Sequence, residues 1–141
     1  MGRRVDNFVE GMLKPINPTA SIILGALTAS WGAWLLNPHS VFDSASLYSK
    51  MDQFAPEWAW GLWAFTCGML IIISVLRSNW KWLAKAMGFA CWHWSTVAGM
   101  MWWGDWQNTG GLTYSYITVY TVYIFLNVKI NHVNDKVAVE V

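Results

Sequence analysis

The chain has 141 residues, of which 55% are hydrophobic and only 12% charged, with a formal net charge of +1. Together with a mean hydropathy of +0.31, this composition argues against an ordinary soluble domain and leaves no clustered basic face for nucleic acid. A helix needs roughly 20 mostly apolar residues to cross about 30 Å of hydrocarbon, so a chain of this length has room for four spans and no separate soluble domain.

The N-terminal segment has Arg3 and Arg4 at its start but continues with Asp6 and Glu10, and no small-residue cleavage site follows a short apolar core. A removable signal peptide is therefore not expected. Val5, Phe8, Val9, Met12 and Leu13 recur at helical spacing, which predicts an interfacial amphipathic helix over residues 4–14. Pro15 and Pro18 interrupt it, and a first span is predicted over residues 19–36. Within that span Gly25, Ala29 and Ala33 repeat every fourth residue, a small-residue stripe that serves either packing inside the bundle or dimerisation.

Asn37, Pro38 and His39 end the span. The mixed, polar connection that follows, residues 39–57, accommodates a short surface helix over residues 44–54, and His39 reads as solvated. Pro56 and Glu57 open a second predicted span, residues 58–76, with Trp58, Trp60 and Trp63 in its first turns. Arg77, Lys81 and Lys85 mark a short basic connection that forces an antiparallel hairpin. The third span, residues 83–103, carries Ala84, Gly88, Ser95 and Gly99 on one small face, with Ala86 and Ala90 beside His93 on another. A turn rich in Gly and Asn leads to the fourth span, residues 112–128. Thr113, Tyr116, Tyr120, Tyr123 and Asn127 fall there at steps of three and four, predicting one hydroxyl- and amide-bearing face that could line a pore or satisfy itself inside a dry bundle. The tail after Val128 is polar and predicted to fray, with His132 exposed.

The twelve Trp are expected mostly at the two interfaces. With the spans so drawn, Arg3, Arg4, Lys14, Arg77, Lys81, Lys85, Lys129 and Lys136 lie on one side and Lys50 alone on the other, so both termini are predicted to be cytoplasmic. Asp43, Asp52, Glu57 and Asp105 then share the far side with Phe42, Tyr48, Phe54 and Trp58, a surface suited to a partner or to the headgroup region.

His93 is the one ionisable ring at mid-span. It could ligate haem, relay a proton or act as a gate, or simply accept an interhelical hydrogen bond from a Tyr or Thr. No second His stands three or four residues away, and Cys67 and Cys91 read as packing residues, so neither a metal site nor a cofactor is predicted. There is no Ser/His/Asp arrangement, no paired intramembrane carboxylate and no phosphate loop, so an enzyme is not expected. The absence of an internal repeat argues against a complete secondary transporter.

Asn37, Pro38, Ser46, Tyr48, Pro56, Glu57, Trp60 and Gly61 form a pattern of a first span closing in Asn-Pro, a Ser-x-Tyr segment, and Pro-Glu before a Trp-Gly. It resembles a pattern found in small four-span membrane proteins of tailed phages and bacteria, most of them without an assigned role. The resemblance implies a phage-type or bacterial inner-membrane protein and no mechanism.

The expectation is thus an all-α, integral membrane four-helix bundle whose partners are the lipid bilayer and further copies of itself or a larger membrane complex. Function divides three ways. The first is a holin-like, channel-forming homo-oligomer. The second is a non-enzymatic accessory subunit or superinfection-exclusion protein, and the third a haem- or quinone-binding protein built on His93.

Overall fold

The computed structural model describes residues 18–38, 42, 48–104, 107 and 109–139, with side chains described as far as residue 130. The described chain is all-helical: α1 Pro18–Leu35, α2 Ser49–Phe54, α3 Glu57–Leu76, α4 Trp80–Gly104 and α5 Thr109–Val139, with no strand among these residues. The interfacial helix expected over residues 4–14 lies outside the described residues, as do His39, Asp43, Ser46, Asp105 and Trp106.

Proline sets the helix starts. Pro18 occupies the first turn of α1, where its missing N–H would have had no helical partner, and Pro56 is the extended residue before α3. Between α3 and α4 the chain reverses within three residues. Ser78 takes the left-handed conformation at φ 50°, and the Asn79 N–H donates to the Ser74 carbonyl at 2.9 Å, closing the end of α3. The Asn79 side chain then accepts from the Trp82 N–H at 3.2 Å and caps α4.

Four long helices pack as an antiparallel sequence, with α1 against α3, α3 against α4 and α4 against α5. The α1–α3 contact is a seam of small residues. A Cβ on Gly32 would lie 2.6 Å from the Gly61 carbonyl oxygen, and one on Gly68 would lie 2.5 Å from the Gly25 carbonyl oxygen, so the two backbones touch directly.

Gly25 and Ala29 are in this seam, but Ala33 faces outward and Gly32 takes the expected place. Helical geometry gives the reason. Two steps of four residues rotate by about 80° around the axis, whereas a four followed by a three keeps residues on one face. On α4, Ser95 and Gly99 likewise lie on the exposed side. A Cβ on Gly99 would meet nothing within 4 Å, and one on Gly88 would meet only the Phe125 ring at 3.6 Å.

The core falls into two zones. Leu24, Ile71, Leu83, Met87, Ile124 and Val128 fill an aliphatic half near the α3–α4 turn. Leu35, Phe42, Tyr48, Met51, Trp60, Trp94 and Met101 fill an aromatic half at the opposite end, beneath α2. By length and composition, α3 is the one described helix apolar enough to cross a membrane, where the sequence leads to an expectation of four. The tail does not fray at Val128. α5 runs on to Val139, with neither Gly nor Pro after Leu112 to stop it.

Candidate functional site

His93 lies at the centre of the aromatic half and is 0% exposed. It comes from the core-facing stripe of α4, which also carries Leu83, Ala86, Met87, Ala90, Trp94, Val97 and Met101 at helical spacing. Three indoles surround it. The Trp31 ring of α1 stands edge-on with centroids 5.4 Å apart, Trp60 of α3 is at 6.2 Å, and its neighbour Trp94 is at 5.2 Å.

Hydrogen bonds fix the box around it. The Trp94 indole donates to the Thr28 hydroxyl at 3.2 Å, and that hydroxyl donates to the Leu24 carbonyl at 2.8 Å, linking α4 to α1. The Trp31 indole donates to the Tyr114 hydroxyl of α5 at 3.2 Å, and the Tyr114 and Tyr48 hydroxyls pair at 3.4 Å. Tyr114 also stacks on Trp94 at 5.7 Å. The Trp60 indole is shared between the Met51 and Ala55 carbonyls at 3.2 and 3.1 Å, which ties α2 onto α3. Phe42 stacks on Tyr48 at 5.1 Å, and its N–H donates to a Glu57 carboxylate oxygen at 3.2 Å.

Every described helix therefore contributes to one connected cluster. Burial, the hydrogen bond with Tyr114 and the nearby Tyr114 and Glu57 charges together push the Tyr48 phenol above its ordinary range.

His93 itself is left out of this network. The sequence reading expects a hydrogen bond from a Tyr or Thr, yet both ring nitrogens are buried without a partner. The nearby hydroxyls are committed elsewhere, Tyr114 to Trp31 and Tyr48, Thr28 to Trp94 and the α1 backbone. The imidazole presents no open face at the surface of the bundle. Among the described residues no group of three His, Cys, Asp or Glu is placed to hold a metal, and Cys67 and Cys91 are both free thiols.

The other expected face divides. Thr113, Tyr116, Tyr120 and Tyr123 point outward from α5, with Tyr116 70% exposed, but Asn127 is 3% exposed and turned into the aliphatic core. Steps of three and four average 3.5 residues, and against the 3.6-residue turn they drift by roughly 20° per heptad. Over the two heptads from Thr113 to Asn127 that rotation carries the amide off the outer face. There its Nδ2 donates to the Tyr123 carbonyl at 3.4 Å, while Oδ1 is buried without a partner, as is the Ser21 hydroxyl.

The indole cluster is what sequence reasoning missed. Trp60 and Trp94 are core residues and Trp31 is partly buried, whereas Trp34, Trp58, Trp63, Trp80, Trp82, Trp92, Trp102 and Trp103 face outward. A usable signal was present: Trp94 lies three and seven residues before Val97 and Met101, on the stripe that includes Ala90, and so shares the core face of α4.

No family model, curated protein or solved structure matches this chain.

Proposed function

We propose that this protein is a four-span membrane protein whose work is done by association of its own copies, a holin-like, channel-forming homo-oligomer of a bacterial or phage-type inner membrane. The observation that carries the reading is the distribution of polarity. The bundle's outer surface carries Ile23, Leu27, Leu62, Phe65, Ile73, Phe89, Val119 and Leu126, while Ser21, Thr28, His93, Thr121 and Asn127 are buried inside. Water-soluble monomers rarely expose continuous apolar surface on this scale, whereas lipid is a suitable solvent for it.

Charge supports the same reading. Between Trp58 and Leu76, between Ala86 and Gly104, and between Thr109 and Val128 there is no Asp, Glu, Lys or Arg. Arg77, Lys81, Lys85 and Lys129 gather at one end of the bundle, which favours that end for the cytoplasmic side. α4 owes its lower hydropathy to six Trp and two Lys near its start, and an indole is an apolar body with one polar N–H, suited to a membrane boundary.

Self-association is favoured by the outward hydroxyls of α5. Tyr116 and Tyr120 project from an otherwise apolar surface, and at bilayer depth such groups are more stable against a neighbouring polar face or a water-filled path than against lipid.

The test is membrane-potential dye fluorescence during induced expression in bacteria, paired with the size of the detergent-solubilised protein. Sudden depolarisation with large homo-oligomers is expected, and replacing Tyr116 and Tyr120 together with Leu should abolish depolarisation while expression is retained. An intact potential with a small, fixed assembly would discard the channel reading in favour of an accessory subunit.

A further inference from the structure

We propose that the outer groove between α3 and α4 holds one anionic phospholipid, its acyl chain laid over Trp63, Gly88, Phe89 and Trp92 and its phosphate held at Lys85. The proposal rests on the membrane reading above and adds a ligand to it. The groove is an open recess of about 540 Å³, and on α4 it is lined by Lys85, Gly88, Phe89 and Trp92, which recur at steps of three and four and so form a single stripe roughly 10 Å long. Gly88 leaves backbone surface in the lining, and Trp63, Phe89 and Trp92 supply its rings.

Those rings pack on each other, with Trp63 and Trp92 centroids 5.0 Å apart and Trp63 edge-on to Phe89 at 6.2 Å. The groove is thus bordered by rings in contact with one another. It continues toward the far end of α3 through a second recess that shares Trp63 and Phe89 and is lined by Leu62, Thr66 and Leu70.

Charge selects the occupant. Lys85 sits at the basic end of the stripe, its ammonium 4.9 Å from the centroid of the Trp82 ring, so the cation is held at the mouth of the channel. A smaller recess of about 240 Å³ is also lined by Trp82, together with Arg77, Ser74 and Asn79. Two cations therefore stand near this end of the groove, Lys85 over the indole and Arg77 in the adjoining recess. The described acidic side chains, Asp52 and Glu57, belong to the opposite end of the bundle. An anion on an apolar chain satisfies both halves of the site, whereas a zwitterionic headgroup would bring its own cation against Lys85 and Arg77.

Protein purified in mild detergent can be titrated with phosphatidylglycerol and with phosphatidylcholine of identical chains, and the one-lipid adduct counted by native mass spectrometry. Phosphatidylglycerol should be retained about five-fold more than phosphatidylcholine, the preference expected from one lysine near an anionic group. Lys85→Gln should remove the preference without changing the helical content, because the ammonium faces out of the bundle. Replacing Phe89 and Trp92 together with Ala, which removes two of the lining rings, should lower retention of both lipids.

Equal retention of the two lipids, or a preference that survives in Lys85→Gln, overturns the proposal. So does a groove covered by a second copy, seen as a dimer that excludes lipid. Alkaline carbonate extraction separates the two levels. A protein released by carbonate refutes the membrane reading and the lipid with it, whereas a carbonate-resistant protein that ignores headgroup charge refutes the lipid site alone.

Discussion

The α1–α3 seam and the core face of α4 hold the same bundle together by opposite means. In the seam, Gly25, Ala29 and Gly32 of α1 meet Gly61, Ala64 and Gly68 of α3 with almost no side-chain atoms between the backbones. Along α4, Leu83, Met87, Trp94 and Met101 fill the space with large side chains that reach across to α1 and α5. Backbones cannot retreat from an added atom without moving a whole helix, whereas a side-chain-filled face can repack by changing rotamers. The seam therefore sets the geometry, and α4 adapts to it.

The largest effect is expected where that distinction is sharpest. Gly32→Ala places a methyl carbon against the Gly61 carbonyl oxygen and the Phe65 backbone, and Gly68→Ala does the same against Gly25 and Ala29. Each should cost about 3 kcal/mol, the upper part of the range for over-packing, because the neighbours are backbone. Loss of helical signal in a detergent-to-denaturing-detergent titration reads this directly. A variant with an unshifted midpoint would show that the seam opens freely and would erase the contrast with α4.

His93→Leu probes the adaptable side and should have a smaller effect of opposite sign. The imidazole is enclosed by Trp31, Trp60 and Trp94 with both nitrogens unpartnered, and such a buried polar group costs about 1–3 kcal/mol. Leu forfeits the edge-on ring contacts, about 0.5–1.5 kcal/mol, so a net gain of about 1 kcal/mol is expected in the same titration. A loss of 2 kcal/mol or more would mean that the imidazole has a polar partner in the working protein, and with it a role beyond filling.

Legibility in the sequence follows the same division. The long helices could be read to within a few residues wherever Pro, Gly or charge interrupts an apolar run, as at Pro18, Pro56 and Arg77. The end of α5 could not, because residues 129–139 change composition without containing a helix breaker, and polarity alone does not end a helix. Gly25 and Ala29 were visible as seam residues, but a repeat of four points to Ala33 where the 3.6-residue turn selects Gly32. His93 was identifiable as the buried ring. Its surroundings were not, since a preference of Trp for interfaces says nothing about which three indoles converge from three different helices.

The smallest effect is expected on the outer face of α4, where Gly99 resembles the seam glycines in sequence and differs from them in everything that surrounds it. A Cβ at Gly99 meets nothing within 4 Å, so Gly99→Ala adds no clash and replaces a residue that disfavours helix by roughly 0.5–1 kcal/mol relative to Ala. The monomer should gain about that much stability in detergent. The same variant also bears on self-association. If Gly99 and Ser95 form a small-residue contact between copies, the added methyl raises the midpoint of the monomer while lowering the oligomer's share in size-exclusion profiles. If that face meets only lipid, stability rises and the oligomer is untouched, leaving the Tyr116–Tyr120 surface of α5 as the face through which copies meet.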